Sequence, residues 1–206
     1  MYILAVDTAF GKESCAISKN GEIIAFSQGT DNSLQAERLF EHINKLLAET
    51  KLSFEQIDHF AANLGPGSFT GIRIGLSAIL GLSLAQNKKL IGVSSFEALA
   101  HKIWKKYKTD KISVALDAGR DQAYFQEFEI VKDLPKQTAD GQLIDISKII
   151  YSEIGNISES KIKAVPDAKD IALTAHDMLS HNIVNFNRKE PIYIRKSSVE
   201  EKFSNV

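Results

Sequence analysis

The chain has 206 residues, 44% hydrophobic and 25% charged, a composition that suits one or two globular domains and excludes wholesale disorder, collagen-like repeats and long coiled coils. Its 25 basic and 26 acidic side chains leave a net charge of −1, so binding of nucleic acid through a bulk positive field is excluded and any RNA contact must be local or shared. The single cysteine, Cys15, permits neither an intrachain disulfide nor a cysteine-based zinc site.

The opening run Met1 to Asp7 has no basic flank and is broken at Asp7, so no signal peptide is expected. The most apolar stretch, near 72–87, carries Gly, Ser and Arg73 and reads as a buried helix rather than a membrane span. A cytoplasmic protein with no membrane association is expected.

Residues 2–6 form an apolar run short enough for a strand buried on both faces. Segments 13–19 and 22–28 flank Asn20-Gly21, a hairpin signal because both turn positions need positive φ. From Ser33, a plausible N-cap, the apolar residues Ala36, Leu39, Phe40, Ile43, Leu46 and Leu47 recur at helical spacing. A strand near 57–63 runs into Gly65-Pro66-Gly67-Ser68-Phe69-Thr70-Gly71, which opens a second helix of about sixteen residues. A strand at 89–93 and a helix at 95–107 complete the order βββαβαβα.

After a basic connector, Lys105 to Lys111, the pattern Val114-Ala115-Leu116-Asp117-Ala118-Gly119 echoes Leu4-Ala5-Val6-Asp7-Thr8-Ala9. This is the mark of a duplication: again a strand ends in aspartate, and a turn and a second strand, Gln122 to Ile130, follow. The remainder is thinner, with a polar stretch at 132–142, a short helix near 145–153, a helix at 168–181 and a late strand at 191–195. The expected organisation is an α/β protein with one full lobe over 1–108 and a reduced lobe over 109–206.

The glycine-rich turn matches neither a dinucleotide fingerprint, since Thr70 holds the sixth position, nor a Walker loop or nucleophile elbow. It offers backbone N–H groups at a helix N-terminus, and Gly67, Ser68, Thr70 and Arg73 are the candidates for contact with an anion or nucleotide. The alternative is a strand-to-helix turn whose glycines allow close packing. Asp7 and Asp117, at the tips of the echoing strands, stand where actin-like phosphotransferases handle magnesium and phosphate, with a capped turn as the plainer alternative. The five histidines give no helical ligand pair, so no metal site is expected, and with no recognisable nucleophile arrangement no catalytic residue is expected either.

The helix 70–86 carries Ile72, Ile74, Leu76, Ile79, Leu80, Leu82 and Leu84 around its circumference. A helix apolar on all sides must be covered on all sides, by the chain's own helices or by a second subunit. Leu39, Ile43 and Leu46 on the first helix and Ile72, Leu76 and Ile79 on the second are the expected partner contacts.

The glycine segment continued through Ile72-Arg73-Ile74-Gly75, with Ala5-Val6-Asp7-Thr8-Ala9, Gly92-Val93-Ser94-Ser95-Phe96-Glu97-Ala98-Leu99-Ala100 and Ala115-Leu116-Asp117-Ala118-Gly119, closely resembles the bacterial TsaB (YeaZ) family. The likeness runs from residue 1 to about 130, and Pro191 to Arg195 resembles the family's terminal strand. It implies an actin-like (ASKHA, ribonuclease H-like) fold. It also implies a part in making threonylcarbamoyladenosine at position 37 of tRNAs that read codons beginning with A.

The resemblance further implies a non-catalytic scaffold or activator. Its partners would be the paralogous transferase TsaD, as a heterodimer, and the ATPase TsaE, with tRNA met through the complex. A homodimer when alone and ATP or ADP at the subunit interface stay open. The His-x-x-x-His metal motif of TsaD corresponds here to Ser95-Phe96-Glu97-Ala98-Leu99, so metal chemistry does not carry over. The competing expectation is an independent actin-like phosphotransferase or ATP-binding protein, which would need two full lobes to close a cleft.

Overall fold

The computed structural model describes residues 1–30, 35–148 and 164–195. Its first sheet contains β1 (Tyr2–Asp7), β2 (Ser14–Lys19), β3 (Glu22–Gln28), β4 (His59–Asn63) and β5 (Lys89–Val93), in the order β3-β2-β1-β4-β5. The first three strands form an antiparallel meander, and β4 and β5 join in parallel beside β1. Helices α1 (Gln35–Thr50) and α2 (Phe69–Ala85) are the crossovers before β4 and β5, and α3 (Ser95–Tyr107) follows β5. This reproduces the expected βββαβαβα lobe.

Alternation along β1 sorts the core. Leu4 and Val6 face α1 and α2, together with Phe60 and Ala62 of β4. Ile3 and Ala5 face the opposite layer, built from α4 (Ala168–Ser180) and the start of α3. Both faces of β1 are therefore covered, which is why its sequence is a continuous apolar run. The turn between β2 and β3 is Asn20-Gly21 with both φ values positive, 51° and 83°, as the hairpin signal requires.

The second sheet contains β6 (Lys111–Gly119), β7 (Gln122–Val131), β8 (Leu134–Gln137) and β9 (Gln142–Asp145). All its pairings are antiparallel, and β8 and β9 share the edge of β7 away from β6. Helix α3 bridges the two sheets: Leu99 and Trp104 pack with Val114, Leu116 and Phe128.

Four expectations change. The polar stretch 132–142 contains β8, reached by the two-residue turn Lys132-Asp133 with φ of 50° and 63°; lysine is no usual signal for positive φ, so the hairpin was not legible. The helix near 145–153 begins instead as the end of β9 and a 3₁₀ turn at Ile146–Lys148, and the rest of that range lies outside the described residues, as does the Ser33 N-cap. The late strand 191–195 is not a strand; one backbone bond, Ile192 N–H to the Leu64 carbonyl at 2.7 Å, ties it to the end of β4. A cut at residue 108 separates the sheets, but α4, far beyond that cut, packs on the first sheet through Ile171, Ala172 and Ala175.

Candidate functional site

Asp7 ends β1 in a buried polar network. Its Oδ1 accepts from the Ala9 N–H and from Asn63 Nδ2, both at 2.9 Å. Asn63, at the end of neighbouring β4, turns its Oδ1 to the Gly65 N–H at 2.8 Å and to the Ser95 hydroxyl at 2.9 Å. The ends of β1 and β4 and the start of α3 are thus fastened through one carboxylate and one amide. Burial outweighs those hydrogen bonds and, with Asp167 and Asp170 adding like charge, pushes Asp7 up to about 7.

Thr8 continues the network. Its hydroxyl donates to the Gly71 carbonyl at 2.6 Å and accepts from the Gly75 N–H at 3.1 Å. A Cβ on Gly71 would run into the Thr8 carbonyl oxygen, and one on Gly75 into the Thr8 hydroxyl. The two glycines are the condition for α2 to lie this close to the end of β1.

The anion candidates separate on inspection. A Cβ on Gly67 would lie 2.7 Å from the Ala9 carbonyl oxygen. Ser68 donates its N–H to that oxygen at 2.8 Å, and its hydroxyl accepts from the Gly71 N–H at 3.2 Å as the α2 N-cap. Much of the turn's hydrogen-bonding capacity is therefore spent on the chain itself, in line with the packing alternative. Thr70 and Arg73 are exposed. The Arg73 guanidinium lies 3.7 Å from the centre of the Phe69 ring, and its Nε donates to the Tyr193 hydroxyl at 2.9 Å. It meets no carboxylate among the described residues, and the aromatic pair stands where an ion pair would.

The two strand-tip aspartates do not share an environment. Asp117 is exposed and accepts from the Gly119 N–H at 2.7 Å, an aspartate turn of the plainer kind. His101, the histidine nearest the expected motif on α3, is held by Asp177 at 2.9 Å and by the Thr174 hydroxyl at 3.1 Å. Burial raises the Asp177 carboxyl, but its bonds to His101 and Lys105 prevail and hold it well below the usual carboxylate range. Among the described residues no group of three or more His, Cys, Asp or Glu side chains is placed to hold a metal.

The expected partner contacts need correction. Leu39, Ile43, Leu46, Ile72, Leu76 and Ile79 are all buried within this chain, because they sit on the inner face of each helix. The outward surface is another set of residues. Phe40 is 43% exposed and Leu84 69%, and between α1 and α2 an open groove of about 640 Å³ is lined by Ala36, Phe40, Phe69, Arg73, Ile74 and Ala78. Sequence reasoning also missed Asn63 and Ser95; the legible signal was a polar residue closing the buried run His59–Asn63, where an unsatisfied amide would be costly.

Comparison with known proteins now bears on this geometry. The family profile described as TsaD, tRNA N6-adenosine threonylcarbamoyltransferase, matches residues 33–200. The protein called tRNA threonylcarbamoyladenosine biosynthesis protein TsaB from Buchnera aphidicola subsp. Schizaphis graminum is 34% identical over 126 residues, 61% of this chain and 60% of that one. Its namesake from Escherichia coli K12 is 32% identical over 129 residues, 63% and 55% of the two chains. The aligned part thus spans little more than half the length of these relatives.

Two solved Pseudomonas aeruginosa structures share the fold. One, described as similar to peptidase YeaZ, has a TM-score of 0.79 at 21% identity, covering 94% of this chain and 99% of that one. The other, YeaZ, has a TM-score of 0.76 at 20% identity, covering 93% and 99%. Among the described residues no helix is long and apolar enough to cross a membrane. With its βββαβαβα lobe, its reduced second sheet and these matches, the chain has the actin-like, ribonuclease H-like fold and belongs to the TsaB (YeaZ) branch of the TsaD family.

Proposed function

We propose that this protein takes part in making threonylcarbamoyladenosine in tRNA, as a non-catalytic scaffold that pairs with a TsaD-type transferase and works with a TsaE-type ATPase. The observation that carries the reading is the outer face of α1 and α2: an apolar groove with Phe40 and Leu84 turned to solvent, of the kind a second subunit covers. The names of the curated relatives support the pathway. The internal commitment of Asp7 and Asn63 counts against an independent phosphotransferase, whose strand-tip carboxylate must face its ligand.

Copurification with a tagged TsaD paralogue from the same cell tests the pairing. Phe40→Asp combined with Leu84→Asp changes only exposed positions and should weaken association at least tenfold while circular dichroism stays unchanged. Full binding by the folded double variant would move the interface elsewhere. A homodimer formed alone should use the same face and yield to the paralogue. Mixing the pure protein with tRNA, threonine, bicarbonate, ATP and the synthase but no TsaD should give no modified adenosine; robust product would end the scaffold reading. ATP or ADP is proposed at the subunit junction, beside Thr70 and Arg73. Labelled nucleotide retained by the isolated chain as well as by the pair would place it elsewhere.

A further inference from the structure

The segment Lys102 to Lys111 carries five lysines and one aspartate in a chain of net charge −1. Lys102, Lys105 and Lys106 stand on one side of the last turns of α3, at the i, i+3 and i+4 spacing that makes helix neighbours. Lys108 follows as the C-cap with φ of 54°, and Lys111 begins β6. All five are exposed. Two are neutralised from α4, Lys102 by Asp170 at 2.8 Å and Lys105 by Asp177 at 2.7 Å. Lys106, Lys108 and Lys111 have no ion pair among the described residues; Lys108 Nζ rests 4.1 Å from the Trp104 ring centre and Lys106 Nζ 5.0 Å from that of Tyr107.

The lysines form a ridge between two grooves. One, of about 410 Å³ between α3 and α4, is lined by Lys102, Lys105 and Lys106. The other, of about 280 Å³ between α3 and β6, is lined by Lys102, Lys106 and Tyr107, with Tyr107 half-exposed.

We infer that this ridge is a docking surface for an RNA phosphate backbone, with Lys106, Lys108 and Lys111 neutralising phosphates. The choice of RNA as the polyanion, and of tRNA as the RNA, rests on the proposed function; the positive charge of the ridge does not. Lys106, Lys108 and Lys111 are exposed point charges close together in sequence, an arrangement that can neutralise successive backbone phosphates. An anionic membrane would want a broad apolar face beside the lysines to insert, whereas here Trp104 is buried and Tyr107 is only half-exposed. Local charge of this kind supplies affinity without the bulk field that the net charge excludes.

Titration of the full chain with fluorescently labelled unmodified tRNA, between about 50 and 200 mM salt, tests the inference. Three phosphate contacts predict a log–log slope of about −2 to −3. Lys106→Gln/Lys108→Gln/Lys111→Gln should lower affinity at least tenfold at the low-salt end and flatten the slope, while Lys12→Gln/Lys19→Gln/Lys45→Gln, elsewhere on the surface, should not. Should the triple variant fail to fold, Lys106→Gln alone should reduce the slope by about 0.7 to 0.9. Unchanged affinity and slope in the folded triple variant would overturn the inference. So would absence of tRNA binding by the natural chain, or binding of phosphatidylserine vesicles through these lysines in place of RNA. Copurification with TsaD separates the two readings: a triple variant that still pairs but loses the slope supports both, whereas a natural chain that never pairs yet binds RNA through the ridge sinks only the scaffold reading.

Discussion

At the scale of single residues, Asp7 sets a pH dependence. Its folded pKa is raised from 3.8 to about 7 by burial, so folding favours the protonated form. The stability this contributes is fully present below about pH 4 and is lost as pH rises through about 7. Asp7→Asn imitates the neutral acid and should remove most of the decline between pH 5 and 8. The gap from 3.8 to about 7 bounds the gain at high pH at about 4 kcal/mol. Urea unfolding across that range checks it, and an unaltered pH profile in the variant would show that the carboxyl titrates near its ordinary value. The aspartate was visible in the sequence as the residue that breaks an apolar run. That it would be buried was not, because its cover comes from Asn63 and from α4, more than fifty and more than 150 residues away.

At the scale of elements, α2 contains glycines of opposite kinds. Gly71→Ala would press a methyl group against the Thr8 carbonyl, part of the backbone and unable to rotate away; a loss of about 2–3 kcal/mol is expected. Gly81 faces open space, so Gly81→Ala should stabilise the isolated chain by about 0.5–1 kcal/mol through helix propensity alone. Thermal unfolding of the two variants should give shifts of opposite sign, and a shared sign would mean that α2 is not seated against Thr8. The sequence disclosed α2 as an apolar helix, since its period and its length are local properties. It did not disclose which face is outer. With apolar residues all round, only the position of the sheet chooses between Ile79 inside and Leu84 outside.

At the scale of the whole molecule, the segment from Arg188 to Arg195 laces the parts together. Arg188 Nη1 lies 2.6 and 2.8 Å from the two oxygens of Glu97, Tyr193 packs at a tilt against Phe69 with ring centres 4.6 Å apart, and Arg195 donates to the Ala118 carbonyl at 2.7 Å and to Gln122 Oε1 at 2.6 Å. Glu97 also closes the capping box of α3, accepting from the Ser94 N–H at 2.8 Å. Arg188→Met should therefore destabilise the chain by about 1 kcal/mol, a modest figure because the guanidinium is partly exposed. A double-mutant cycle with Glu97→Gln should show a coupling of similar size. Coupling near zero would leave the Ile192–Leu64 backbone bond as the main tie at this edge.

The sequence by itself determined the order of the elements in the first lobe, the hairpin at Asn20-Gly21 and the family, because period, turn chemistry and motif spacing are written in residues near one another. Tertiary structure alone decided that Asp7 is enclosed while its echo Asp117 is exposed, that α4 covers the first sheet, that Lys132-Asp133 turns a hairpin, and that the outer face of α1 and α2 belongs to Phe40, Ile74, Ala78 and Leu84. Each of these depends on which distant surface arrives to exclude water. Exclusion of water changes a carboxyl's acidity and a leucine's role without leaving a local trace in the chain.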